Sequence, residues 1–340
     1  MLQLRDLLKE LPPFVREFMN GVADNTTART RMGYAYDIGV FLKFLTSEVR
    51  GFETAVADIK LCELETVNLN DIEEFKSYLD YYIKSDDTGK SERTVTNAAI
   101  GKSRKLSAIR SMYRYFQKKG AVEKNPTDLA VFPKISEKPI IRLEYNEVAR
   151  LLDVVESGEG LTAHQRAYHE YTRMRDFAII TLMLGTGARV SECAGVDINH
   201  VDFENGCVAI TRKGGNQAVV YIGDEVEEAL GRYMDVRDEL PAAPGHENAL
   251  FLSLQKKRLG VRAIQNIVKK YAKIVTGYKN ITPHKLRSTF GTNLYQATND
   301  IYLVADVLGH KSVETTRKHY AEMSDARRRA ARSVRLRKEE

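Results

Sequence analysis

Six side chains in the second half of the chain have types and spacings that could carry chemistry. Arg189 lies in GTGARVSE, residues 185 to 192, where two glycines lead into a helix start. Backbone N–H groups at such a start can reach the same anion as the guanidinium. Lys213 stands at a hairpin turn, Lys213-Gly214-Gly215-Asn216, a flexible tip from which an ammonium can enter a groove or an active site. In TPHKLR, residues 282 to 287, Pro283 suits the first turn of a helix, and His284 and Arg287 then share one face at i, i+3. One of that pair can move a proton while the other clamps two oxygens. His310 closes LGH, residues 308 to 310, and Tyr320 follows ten residues later, after a short helical stretch. A tyrosine hydroxyl can serve as a covalent nucleophile. Each pattern alone has an ordinary reading: a glycine-capped loop, a solvated lysine, an exposed His and Arg, or one packing residue among 17 tyrosines.

The order Arg, Lys, His-x-x-Arg, Leu-Gly-His, Tyr, carried by GTGARVSE, TRKGG, TPHKLR, LGHKS and ETTRKHY, resembles the tyrosine recombinase (phage integrase) family over about residues 170 to 325. The length resembles that of an Xer-type chromosome-dimer resolvase, and the insertion at residues 156 to 170 and the TRKGG hairpin resemble the single-recombinase Xer proteins of Gram-positive bacteria. The resemblance implies a site-specific DNA recombinase, acting in chromosome dimer resolution or in integration and excision of a mobile element. It implies that Tyr320 attacks a phosphodiester to give a 3′-phosphotyrosyl link and a free 5′-hydroxyl. Arg189 and Arg287 would hold the non-bridging oxygens, Lys213 would protonate the leaving oxygen, His284 would assist proton transfer, and His310 would donate to the phosphate. Glu192 would orient the arginine or the histidine, although a plain helix-face acid explains it equally well. Such chemistry needs no cofactor: the phosphotyrosine conserves the energy of the broken bond. No GxxxxGK[ST] pattern and no His/Asp cluster calling for a metal is present. A type IB topoisomerase-like enzyme and a non-catalytic DNA-binding protein are the alternatives.

The elements that must position these groups divide into two helical halves. The chain has 340 residues, 43% hydrophobic and 29% charged, the proportions of a folded protein of about two domains. No run reaches the roughly 18 apolar residues of a membrane span, and the charged N-terminus lacks a signal-peptide centre. Cys62, Cys193 and Cys207 form no CxxC pair, which fits a reducing cytoplasm; the family resemblance implies a bacterial cytoplasm and association with the nucleoid.

Apolar spacing predicts a helix after Thr26 or Thr27, carrying Tyr34, Ile38, Phe41, Leu42 and Leu45. A second starts at Asn70-Asp71 and runs through DIEEFKSYLDYYIK with Phe75, Leu79 and Tyr82 on one face. A third covers about Thr94 to Lys119. Prolines 126, 133 and 139 break the pattern. The breaks leave a helical unit at residues 1 to 132, a linker at 133 to 142 and a second unit at 143 to 340. The family resemblance implies that the first is an N-terminal core-binding DNA-binding domain and the second the catalytic domain. It also implies a tail helix at about Ser324 to Leu336 acting in trans on a neighbouring copy, where a basic tail that only adds DNA affinity is the alternative. Within the second half the sequence predicts helices at Tyr145 to Val155 and Arg173 to Leu184, a polar insertion at 156 to 170, and a β-hairpin around KGGN. The expected class is mainly α with a small sheet, and the resemblance implies a two-domain, C-shaped DNA clamp.

Charge names the partner class. The net charge is only +6, yet residues 93 to 119 hold eight Lys/Arg and no acid, and 248 to 299 hold ten and no acid. The last sixteen residues carry a further +4. Basic tracts on a nearly neutral background point to a polyanion, most simply nucleic acid, and the family resemblance implies double-stranded DNA. Arg104, Lys105, Arg110, Arg114 and Lys118, interleaved with Ser103, Ser107 and Ser111, are candidate backbone contacts, as are Arg258, Arg262, Lys269 and Lys270. The family resemblance adds a homotetramer on two sites and leaves room for an accessory protein.

Overall fold

The computed structural model describes residues 2–49, 51–85, 92–135, 141–212, 214–310 and 312–320. Lys213 and the tail helix expected at 324 to 336 therefore lie outside the described residues, as does the middle of the 133–142 stretch, and of Tyr320 only the backbone is described. The chain divides into two units, Met1–Glu137 and Lys138–Glu340. The fold is mainly helical, with two small antiparallel sheets.

The first unit holds α1 (Leu2–Leu7), α2 (Pro13–Gly21), α3 (Ala28–Glu48), α4 (Leu69–Tyr78) and α5 (Ala99–Lys118), with a two-stranded ribbon, β1 (Tyr81–Ser85) and β2 (Glu92–Thr96), between α4 and α5. Thr27 caps α3 by accepting the Thr30 N–H at 3.2 Å. Ile38, Phe41 and Leu42 of α3 face Phe75 of α4 and Ile109 and Met112 of α5 in one buried core. Each such side chain contributes about 1.5–3 kcal/mol by leaving water.

Two expectations about this unit are corrected. The helix begun near Asn70 stops at Tyr78, and Tyr82 lies on β1 opposite Val95. The third helix begins at Ala99, because residues 94 to 96 pair with Tyr81, Tyr82 and Ile83 as β2. Tyr-Tyr-Ile and Thr-Val-Thr are β-favouring runs, and strand pairing overrides the helical spacing read from DIEEFKSYLDYYIK. Asn97 joins the two segments by donating its Nδ2 to the Leu79 carbonyl at 2.8 Å, just past the end of α4.

The second unit comprises α6 (Tyr145–Ser157), α7 (Ala163–Thr186), α8 (Val190–Ala194), α9 (Asp224–Asp238), α10 (Val261–Val275), α11 (Pro283–Thr298), α12 (Ile301–Leu308) and α13 (Val313–Tyr320). A three-stranded sheet, β3 (Val201–Asp202), β4 (Cys207–Thr211) and β5 (Gln217–Tyr221), lies between α8 and α9. The core gathers Ile179, Leu182 and Met183 of α7 with Leu230 of α9, Tyr271 of α10 and Leu286 of α11.

The segment 156 to 170, expected as a polar insertion, is the end of α6, a turn, and the first turns of α7. Gly158 takes the left-handed conformation that closes α6. Thr162 and Gln165 form a reciprocal N-terminal box, which starts α7 about ten residues before the predicted Arg173. His169 is buried and its Nε2 lies 2.8 Å from the Val155 carbonyl, which packs this polar stretch onto α6.

Candidate active site

The site is assembled around the three carbonyls that end α12. Each one is met by a different arginine. Arg212, just after β4, donates to the Val307 carbonyl at 3.3 Å. Arg287, on α11, donates to the Leu308 carbonyl and, at 2.7 Å, to that of Gly187. Arg189, at the start of α8, donates to the Gly309 carbonyl at 3.4 Å. The C-terminal carbonyls of a helix have no intrahelical partner and carry partial negative charge, so they attract cations. Each guanidinium presents five N–H donors in a planar fork. An arginine anchored through some of them offers the rest to an anion in a fixed direction.

Two glycines permit this closeness. Gly187 ends α7 with φ +64°, and a Cβ there would sit 2.5 Å from Phe290 and 2.8 Å from Leu308. Gly309 ends α12 with φ +61°, and a Cβ there would collide with the Arg212 guanidinium. The GTG and LGH motifs thus mark where α7 and α12 stop and come together.

Arg189 is held from below by Glu192, which is buried. One carboxylate oxygen of Glu192 accepts the Arg189 backbone N–H at 2.7 Å, and the other accepts its guanidinium at 2.7 Å. One of the backbone N–H groups at this helix start, that of Arg189 itself, is therefore taken by Glu192, and α8 has only five residues. Neighbouring Cys193 is fully buried, and burial pushes its thiol up to about 12, which makes it a packing residue.

His284 and Arg287 lie one turn apart on α11, as the spacing predicts. His284 is exposed while Arg287 is buried, at 5% of its full exposure. Ser288 donates its hydroxyl to the His284 carbonyl at 3.0 Å. His310 directly follows the Gly309 carbonyl, and its Nδ1 lies 2.7 Å from the hydroxyl of Thr316. Thr316 is fully buried on α13, four residues before Tyr320. One side chain thus connects His310 to the helix that ends at Tyr320. Arg189, Arg287 and His310 are brought to one turn; His284 and Tyr320 stand on the helices flanking it.

Sequence reasoning did not single out Arg212 or Thr316. Their only signal is adjacency, Arg212 to Lys213 in TRKGG and Thr316 within ETTRKHY, and their partners are distant in sequence or depend on the turn at Gly309.

The predicted DNA contacts separate by burial. Lys105 is buried and donates to Asn97 Oδ1 at 2.7 Å, inside the first unit and off the surface where a phosphate contact is made. Arg110 donates to the Thr127 carbonyl and lies over the Phe132 ring at 4.1 Å. Arg258 donates to the Val196 carbonyl at 3.0 Å and pairs with Asp197, closing the loop after α8. Lys270 pairs at 3.1 Å with Asp176, a fully buried carboxylate also met by Arg175 and Tyr271. Arg104 is exposed but pairs with buried Asp37 at 2.8 Å. Arg114, Lys118, Arg262 and Lys269 remain exposed at the surface, Arg114 in a 3.1 Å pair with Asp128.

The sequence of residues 141–327 matches the phage integrase family. The chain belongs to that family. The tyrosine recombinase XerC of Caldanaerobacter subterraneus subsp. tengcongensis is 31% identical over 332 residues, covering 94% of this chain and 86% of the relative. The tyrosine recombinase XerS of Lactococcus lactis subsp. cremoris is 28% identical over 328 residues, 90% of each chain. Two solved structures share the fold: the XerH site-specific recombinase bound to its difH substrate before cleavage (TM-score 0.63, 21% identity, 93% of this chain and 82% of that one), and the Tn1549 transposon integrase with circular intermediate DNA (TM-score 0.66, 18% identity, 95% and 100%).

This chain is accordingly a tyrosine-type site-specific recombinase that acts on DNA. The topoisomerase-like and non-catalytic readings are not favoured by these relatives. Among the described residues, no helix of the recombinase is long and apolar enough to cross a membrane.

Proposed function

We propose that this recombinase cuts and rejoins duplex DNA through Tyr320, with Arg189 and Arg287 as the phosphate clamp. The observation that carries the reading is the convergence of Arg189, Arg287 and His310 on the turn 307–310, with α13 leading from that turn to Tyr320. The Tyr320 oxygen attacks the scissile phosphorus, and the bond from phosphorus to the 5′-oxygen breaks. Lys213 gives that oxygen its proton. The two arginines and His310 stabilise the charge that develops on the non-bridging oxygens, where preorganised donors act most strongly. His284 assists transfer of the tyrosine proton. Attack by the 5′-hydroxyl of a second strand reverses the step and releases Tyr320, so bond energy is conserved throughout and no cofactor is consumed.

Two copies on each of two sites, a homotetramer, complete an exchange, with the segment after Tyr320 docking on the neighbouring copy. An accessory protein bound beside the site would set the order of strand cleavage. Exposed Arg114 and Lys118 in the first unit, and Arg262 and Lys269 in the second, supply phosphate contacts. The enzyme works in the bacterial cytoplasm on the nucleoid, in Xer-like resolution of chromosome dimers or on a mobile element. Strand exchange between two copies of the recombination site, assayed with wild type and with residues 325 to 340 removed, tests the assembly: exchange abolished with cleavage retained supports docking in trans, and unchanged exchange and synapsis rule it out.

A further inference from the structure

We propose that Arg212 is a positioning residue of this active site: it locks the turn 307–309 from the sheet side and so sets the direction in which Arg189 and Arg287 face the phosphate. The inference deepens the reading of Arg189 and Arg287 as the phosphate clamp and rests on it.

Arg212 is fixed at its own end. Its backbone N–H donates to the Asn216 carbonyl at 2.7 Å, and its carbonyl accepts from Gly215 at 3.1 Å, closing the hairpin across the tip. From this anchored position its side chain crosses to α12 and donates to the Val307 carbonyl at 3.3 Å. The guanidinium lies against Gly309, in space that any other residue's Cβ would fill. Its Nε is buried and has no hydrogen-bond partner among the described residues, so the group is seated by packing and by one carbonyl.

The next two carbonyls of the same turn hold Arg287 and Arg189. A turn secured by Arg212 offers them fixed acceptors. With the tie from the hairpin to Val307 removed, both phosphate-holding arginines lose a rigid reference. A displacement of about 1 Å in such a group costs on the order of a hundredfold in rate.

The test uses the full-length protein and a nicked suicide duplex carrying its own site, obtained by selection from a random duplex pool. Two versions of the duplex are compared, one with an ordinary scissile phosphodiester and one with a methylphosphonate there. The methylphosphonate removes one negative charge from the transition state, so it lessens the need for correctly placed cations. Arg212→Met is expected to slow covalent adduct formation about ten- to hundredfold on the diester. DNA affinity is expected to stay within about twofold. The defect is expected to shrink markedly on the methylphosphonate, as is that of Arg189→Ala, and Arg212→Lys to recover part of the rate. Should Arg212→Met fold poorly, Arg212→Lys carries the comparison. A defect of equal size on both duplexes for the Arg212 variants, beside a shrinking defect for Arg189→Ala, overturns the positioning role alone. Equal defects for Arg189→Ala itself overturn the phosphate-clamp reading, and the role of Arg212 with it.

Discussion

Glu192 grips Arg189 at both ends, one carboxylate oxygen on its backbone N–H and the other on its guanidinium, each at 2.7 Å. The cap fixes where the side chain starts and the ion pair fixes where it points. Glu192→Ala is expected to remove the cap, at a cost of about 0.5–2 kcal/mol in stability, and to slow cleavage with little change in DNA binding. Glu192→Gln retains acceptor capacity on one oxygen and keeps more of both. Thermal melting and single-turnover adduct formation read the two effects. Full cleavage by Glu192→Ala would show that Arg189 is oriented by other groups.

The reverse deletion has a different signature. Arg189→Ala leaves the Glu192 carboxylate buried without its charged partner, which costs about 1–3 kcal/mol. That variant is expected to melt lower as well as to lose cleavage. Arg189→Lys, which keeps a cation beside Glu192, regains stability more than activity, because a point charge cannot reproduce the planar fork. Equal melting temperatures for Arg189→Ala and wild type would contradict this arrangement.

Gly309 is needed twice, for its positive φ and for the space that Arg212 occupies. Gly309→Ala is expected to destabilise the second unit by about 1–3 kcal/mol through backbone strain and to move Arg212 away from Val307. Melting and adduct formation should both fall. A variant that melts and cleaves like wild type would mean that the turn relaxes freely.

What the sequence made legible was local. The motif residues announced themselves by type and order, a threonine cap at 26 or 27 by its place before an apolar repeat, and the β4–β5 hairpin by β-rich runs around two glycines. The misplaced elements were settled by partners far along the chain. Tyr82 reads as a helix-face residue until Val95 pairs with it. Residues 156 to 170 read as a polar insertion because the stabilising partner of buried His169 is a carbonyl on α6. The basic tracts mixed two kinds of cation that composition cannot separate: Arg258 and Lys270 neutralise carboxylates within the second unit, while Arg262 and Lys269 face outward.

That distinction can be measured. Removing Arg114 or Lys118 is expected to lower the salt dependence of DNA binding by about one unit of slope for each phosphate no longer neutralised, with little change in melting. Lys105→Met should do the opposite, lowering stability through the orphaned Asn97 oxygen and leaving the salt slope unchanged. A reduced slope for Lys105→Met would put its ammonium on DNA.

Asp37 gives the first unit a pH dependence of defined sign. Burial raises its carboxyl above the usual carboxylate range, against the opposing charges of Arg104 and Lys105, and one oxygen has no hydrogen-bond partner among the described residues. The folded state therefore holds the proton more tightly than the unfolded chain. The associated stability is present at low pH and is lost as pH rises through the raised value. Relative to Asp37→Asn, wild type is expected to lose unfolding free energy across that interval, measured by denaturant titration at a series of pH values. A wild-type advantage that grows with pH would reverse the sign and show that the pair with Arg104 outweighs burial.

The central claim is that Tyr320 is the nucleophile at the end of the helix that Thr316 joins to His310. The most direct measurement is covalent trapping on a nicked suicide duplex, with wild type and Tyr320→Phe run side by side on a denaturing gel. A slow-migrating protein–DNA adduct with wild type alone is the predicted result, and mapping it gives the cleaved phosphate. An adduct that persists in Tyr320→Phe would move the nucleophile elsewhere and contradict the proposed site.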